Sequence, residues 1–220
     1  MNRTLLFVAL VTSTLAAAEV PTLQASAGYS TQVFGARGYD LIGLDDNLHQ
    51  GRVAVGTGFN LPFGALDLEV AFATGGTNTA THGVIPVQFA LKSLQLGVTY
   101  RVAVKSWFHP YAQVAGGYDW ATLTLADEAR LTQTVGSFSG VGLLGIQFAV
   151  RMGSAKAPRV PWMIFDLGAG AALRPVTRFD AMAPETPKPA PTDPIAVGNV
   201  NLGALPLSGF TARLLVGVRF

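Results

Sequence analysis

From Leu23 onward apolar residues recur at every second position, in eight separate runs: 23–34, 52–61, 65–74, 94–104, 111–122, 137–151, 163–174 and 209–220. A period of two is the signature of strands, whose successive side chains point to opposite faces. Each run is close to the ~9–11 residues that a tilted strand needs to cross a bilayer. The apolar column, for example Leu66, Leu68, Val70 and Phe72, then Leu94, Leu96, Val98 and Tyr100, holds no charge in any run. The opposite column holds Arg52, Asp67, Glu69, Arg101, Asp119, Arg151, Asp166, Arg174, Arg213 and Arg219 among Gly, Ala, Ser and Gln. A soluble barrel or sandwich would turn its apolar column inward and show water a surface rich in Lys, Glu and Thr. Here the polar column has arginine but no lysine and is otherwise small, which suits a crowded lumen. An Arg or Lys facing lipid at the midplane costs ~2–4 kcal/mol, which accounts for the uncharged column. The pattern therefore predicts an all-β protein, an eight-stranded antiparallel up-and-down transmembrane β-barrel. A ten-stranded barrel, with a further strand over 195–205, is the alternative.

Connection lengths alternate. Segments 35–51, 75–93, 123–136 and 175–208 are long, and 62–64, 105–110 and 152–162 are shorter. This is the asymmetry of a barrel with long outer loops and short periplasmic turns. Aromatic residues fall at strand ends, where an amphipathic ring belongs at a headgroup boundary. Phe59, Trp107, Phe108, Phe148, Trp162 and Phe220 are expected at the periplasmic interface, and Phe34, Phe72, Trp120 and Phe138 at the outer one. Residues Val84 to Leu91 also alternate, but the parity flips across Lys92-Ser93. They read as an extension of the fourth strand above the membrane, with a bulge absorbing the flip. Pro184 to Pro194 is too rich in proline for a central strand and reads as stiff loop.

Composition narrows the destination. Only 13% of the 220 residues are charged, against ~25% in an average globular protein, and half are hydrophobic. Disorder and binding of a nucleic acid both require more charge. At the N-terminus Asn2-Arg3 precedes an apolar run from Leu5 to Leu15 and a small-residue site, Ala16-Ala17-Ala18. That order is the plan of an export signal, giving a signal peptide over 1–18 and a barrel over 19–220. The chain has no cysteine, so neither disulfides nor a lipidated thiol enter the picture. Export without an anchor or a spanning helix, together with the strand pattern, points to a bacterial outer membrane.

The last twelve residues place Phe210, Leu214, Val216, Val218 and Phe220 at alternate positions behind a terminal Phe. This resembles the C-terminal signature of bacterial outer-membrane barrels, which in that family is read by the barrel-assembly machinery. His109-Pro-Tyr-Ala-Gln-Val-Ala-Gly-Gly-Tyr118 is similar to a strand of the small OmpA/OmpX/OmpW-like porin-like barrels, departing at Gln113 and Ala115 where the family favours Gly. The resemblance implies a structural or porin-like surface protein that is not an enzyme, has lipid as its main partner and is a monomer. A conduit for small hydrophobic molecules is the alternative, with adhesion through the proline-rich 175–208 a third reading.

Candidate sites are few. The lumen charge network, Arg52, Asp67, Glu69, Arg101, Asp119, Asp166, Arg174, Arg213 and Arg219, can be a gate that swaps partners or a static network that fills the interior. Eight strands leave an interior just wide enough for side chains, which favours the static network. Lipid A deacylases that share the fold carry a His-x-Ser pair, but His49, His82 and His109 are followed by Gln-Gly, Gly-Val and Pro-Tyr. Asp45-Asp46-Asn47 with His49 offers too few oxygens for a calcium loop. Gly56-x-Gly58 and Gly168-x-Gly170 lack the third glycine and the helix of a phosphate cradle, and read as small lumen residues. No catalytic residue, metal or cofactor is expected.

Overall fold

The computed structural model describes residues 21–34, 47–81, 85–125, 130–153, 160–180, 182–184 and 203–220. The proposed leader, His82 and most of the proline-rich segment lie outside them. Eleven strands are described: β1 (Thr22–Phe34), β2 (Asn47–Leu61), β3 (Gly64–Thr81), β4 (Ile85–Arg101), β5 (Phe108–Leu125), β6 (Leu131–Arg151), β7 (Trp162–Leu173), β8 (Val176–Phe179), β9 (Ala183–Pro184), β10 (Gly203–Pro206) and β11 (Gly209–Arg219). β1 to β7 and β11 pair antiparallel with their chain neighbours, and β1 pairs with β11, so eight strands close into a ring. Closure removes every free edge in the wall, as a sheet in hydrocarbon requires. Leu23 and Phe220 exchange backbone hydrogen bonds of 3.2 and 2.9 Å, which zips the two ends of the described chain together. That end of the barrel is the terminal mouth; the opposite end is the far mouth.

The wall presents its apolar column outward. Leu96, Val114 and Leu214 are 67%, 71% and 50% exposed, values that only a surrounding apolar phase makes reasonable for residues at mid-strand. On β11, Phe210, Leu214 and Val216 are exposed on one face, and Phe220 just beyond the strand is exposed as well. Phe72, Trp120 and Phe138 stand outward toward the far mouth, where Tyr118 meets both Trp120 and Phe138 edge-on.

Several expectations are corrected. Segments 75–93 and 123–136 are largely paired strand: β3 and β4 stay in register from Ala65↔Arg101 to Thr81↔Ile85, and β5 and β6 from Phe108↔Phe148 to Leu125↔Leu131. The register across Lys92-Ser93 is unbroken, so there is no bulge. What changes is the environment. Beyond the lipid band the outside is water, so Val87, Phe89 and Leu91 turn the apolar side inward while Gln88 and Lys92 face out. Of the stretch 195–205 only 203–205 is described, and there β10 pairs with β8 in a separate two-stranded sheet, outside the eight-stranded ring. β9 lays Ala183–Pro184 along β6, an edge pairing of the kind proline tolerates. Phe34 and Trp162 are on the inward column and do not belong to the aromatic belts. His49 is part of β2 and stacks on Tyr29 with ring centroids 5.5 Å apart.

Candidate functional site: the barrel interior

Four layers fill the barrel from the terminal mouth to the far mouth, and the first three are polar. In the middle, β3 contributes Glu69, whose Oε1 accepts hydrogen bonds from Arg52 Nη2 (2.6 Å) and Gln113 Nε2 (3.0 Å). Arg213 from β11 donates from Nε to Asp166 Oδ1 (3.1 Å) and from Nη1 to Gln113, and lies 4.0 Å from Glu69. The Tyr111 hydroxyl donates to Asp166 (2.8 Å) and accepts from Arg213 Nη2 (3.2 Å), with the guanidinium 5.5 Å from the ring centre. Arg52 also donates to Gln95 (2.7 Å), so it reaches the middle layer although its backbone lies nearer the far mouth. Toward the terminal mouth, Asp67 takes both oxygens to Arg101 in a fork, the second contact being 2.8 Å. Toward the far mouth, Arg174 donates to both Asp119 and Gln32.

Every one of the nine charges of the sequence-predicted network is therefore buried in one interior, and eight of them form four ion pairs. Arg219 is the ninth. It donates from Nη2 to Gln24 (3.1 Å) and Gln147, and no carboxylate lies within 4 Å of it among the described residues. Arg151, by contrast, stands exposed at the rim. Among the described residues this polar zone holds cavities of about 30 and 20 Å³. At ~10–15 Å³ per water centre, each holds only one or a few water molecules. The neutral partners Gln24, Gln32, Gln95, Gln113, Gln147 and Tyr111 were not singled out from the sequence. Their signal was position: each lies on the inward column, where an amide or hydroxyl must find a partner.

The fourth layer is apolar. Phe34, Leu48, Val87, Phe89, Leu91, Leu123 and Leu131 converge inside the far mouth, and Phe179, Met182, Leu205 and Leu207 from the β8–β10 region cover them. Gln32 Nε2 donates to the Leu207 carbonyl (2.7 Å), and Ser208 Oγ both accepts from Arg174 N and donates to Arg174 O (2.9 Å each). These bonds tie the apolar plug to the polar layer beneath it. Each large apolar side chain so buried contributes ~1.5–3 kcal/mol, and the layer blocks the route that the ion pairs already narrow.

The remaining sequence candidates do not converge. His49 is outward, and His109 is at the terminal mouth with Nε2 3.2 Å from the Ser106 carbonyl. Asp45, Asp46 and His82 lie outside the described residues, and among those described no three His, Asp or Glu side chains group as a metal site. Gly56, Gly58 and Gly168 are inward, and Gly145 and Gly168 form the floor beneath the Tyr111 ring.

No family model and no curated protein matches the sequence. Among solved structures, a major outer membrane protein from Thermus thermophilus superposes with a TM-score of 0.54 at 14% identity, over 92% of this chain and 100% of that one. The fold is that of a small outer-membrane β-barrel. Neisserial surface protein A (TM-score 0.48, 17% identity, 92% of this chain and 97% of that one) is also similar. So is Ail, the attachment invasion locus protein of Yersinia pestis (0.48, 17%, 92% and 100%). At such identities the likeness concerns backbone architecture, and the interior of this barrel has to be read from its own side chains.

Proposed function

We propose that this chain is an integral, non-catalytic protein of a bacterial outer membrane, a monomer whose barrel is a sealed scaffold carrying the structure at its far mouth. On this reading the terminal mouth faces the periplasm, the far mouth faces outside, and the C-terminal strand is the element handled by the barrel-assembly machinery. The observation that carries the proposal is the double closure of the lumen, by paired charges at middle depth and by the apolar cluster above them. A conducting pore needs continuous water, and a conduit for hydrophobic molecules needs space that Phe34, Phe89 and Phe179 occupy. Reconstitution of the purified barrel in a planar bilayer under salt tests the proposal. Silent records are the expected result, and stable conductance steps would refute the sealed scaffold.

A further inference from the structure

Interior charges in a low-dielectric barrel are held in opposite-sign pairs, because an isolated buried ion costs several kcal/mol. Four of the five interior arginines obey this rule. Arg219 does not: it is 8% exposed, its Nε has no partner, and among the described residues its side chain hydrogen-bonds only from Nη2 to two neutral amides. Its unpaired charge coincides with a cavity inside the terminal mouth, of about 290 Å³ and lined by Thr22, Arg101, Ser106, His109, Trp162 and Arg219 among others. That volume is at the lower end of the ~300–1,000 Å³ typical of small-ligand sites. The surrounding field is positive as well. Among the described residues this end of the barrel carries Arg101, Lys105, Arg151 and Arg219 against Asp67, which is already spent on Arg101.

We propose that the terminal mouth binds a phosphate group, with Arg219 meeting its charge. The geometry selects a tetrahedral anion over a carboxylate. A planar carboxylate is best held by the two-nitrogen fork of one guanidinium, as Asp67 is by Arg101. On Arg219 that fork is broken, since Nη2 is occupied and Nε is shut away. Arg219 therefore has Nη1 for a single contact, and two further donors stand on separate elements: Nη1 of Arg101 on β4, left over from the fork to Asp67, and the Ser106 hydroxyl on the β4–β5 turn, while Thr22 and His109 are held by the Gly58 and Ser106 carbonyls. Single contacts from several directions match the oxygens of a phosphate, and Trp162 gives its substituent an apolar wall. The phosphate can be free or can belong to a lipid headgroup, because the mouth lies beside the membrane boundary.

Trp162 provides the readout. In the Trp107→Phe/Trp120→Phe protein, kept in a phosphate-free glucoside detergent, inorganic phosphate should give a saturable change in tryptophan emission that chloride at equal ionic strength does not. Arg219→Gln retains a neutral amide but removes a charge-assisted hydrogen bond, so the apparent Kd should rise about tenfold or more. Should that variant fail to show heat-modifiable migration, Ala103→Glu decides instead. It adds a carboxylate to the cavity from the exposed 102–107 turn and should abolish the response. Lys92→Gln, on the outer side of β4 toward the far mouth, should bind as the parent does. A short-chain phosphatidylglycerol arm separates the sources: a response to lipid alone assigns a headgroup, and a response to both assigns the phosphate group itself. No response to either ligand, or one that chloride reproduces or that survives Arg219→Gln and Ala103→Glu unchanged, overturns the proposal.

Discussion

Tyr111 can lie flat across two neighbouring strands because neither Gly145 nor Gly168 carries a side chain; a Cβ at either position would fall on the ring. The register sets Tyr111, Gly145, Gly168 and Arg213 in one row across β5, β6, β7 and β11, so two absent side chains bring the hydroxyl to Asp166 and Arg213. Gly145→Ala should therefore cost ~1–3 kcal/mol through overpacking, read as a lower urea midpoint for unfolding in detergent. Gly142→Ala is its control. It lies outward on the same strand with nothing within 4 Å of an added Cβ, and should leave the midpoint unchanged or raise it slightly. Buried charge makes a second residue-scale prediction. Arg174→Met strands Asp119 in the interior and should cost ~3–5 kcal/mol, whereas Arg174→Met combined with Asp119→Leu should recover most of the loss. Equal losses in the single and double variants would contradict that account.

At the scale of the element, β4 reverses the meaning of hydrophobicity along one uninterrupted strand. Its outward Leu94, Leu96 and Val98 face hydrocarbon, and its inward Phe89 and Leu91 face the plug. Substitutions at the two ends should thus respond differently to the surrounding solvent. Leu96→Arg should cost ~2–4 kcal/mol in a bilayer and little in a micelle that can wet the site. Phe89→Ala should cost ~3–5 kcal/mol in both, because it opens a cavity that no solvent exchange relieves. Guanidinium unfolding in liposomes and in detergent distinguishes the two. Alternation alone located the eight wall strands, since lipid imposes one rule on every outward position. Their far ends were not legible, because the rule reverses where lipid gives way to water, and the apparent bulge at Lys92-Ser93 was that reversal.

For the whole molecule, the proposed scaffold has two independent seals, which must fail together for the lumen to open. Glu69→Ala or Arg213→Ala alone should leave bilayer recordings silent, since the apolar cluster closes the path higher up. Conductance in either single variant would show that the charge layer is the gate and the plug is not a barrier. The nine interior charges were readable from the sequence as one column, but not who holds whom. Arg52 lies 17 residues from Glu69, Arg174 lies 55 from Asp119, and Arg213 reaches Gln113 across 100.

The sequence by itself determined which side of each strand is dry of charge, because a charge facing hydrocarbon is too costly to retain, and hence the barrel, its strand number and its outer face. Only the tertiary structure decided the pairing inside. Closing the ring brings residues far apart in the chain to the same depth, and the partner of a buried arginine depends on that depth, on side-chain reach and on which neighbours are glycine. Which arginine the odd count leaves alone beside a cavity is decided only once the other four pairs have formed.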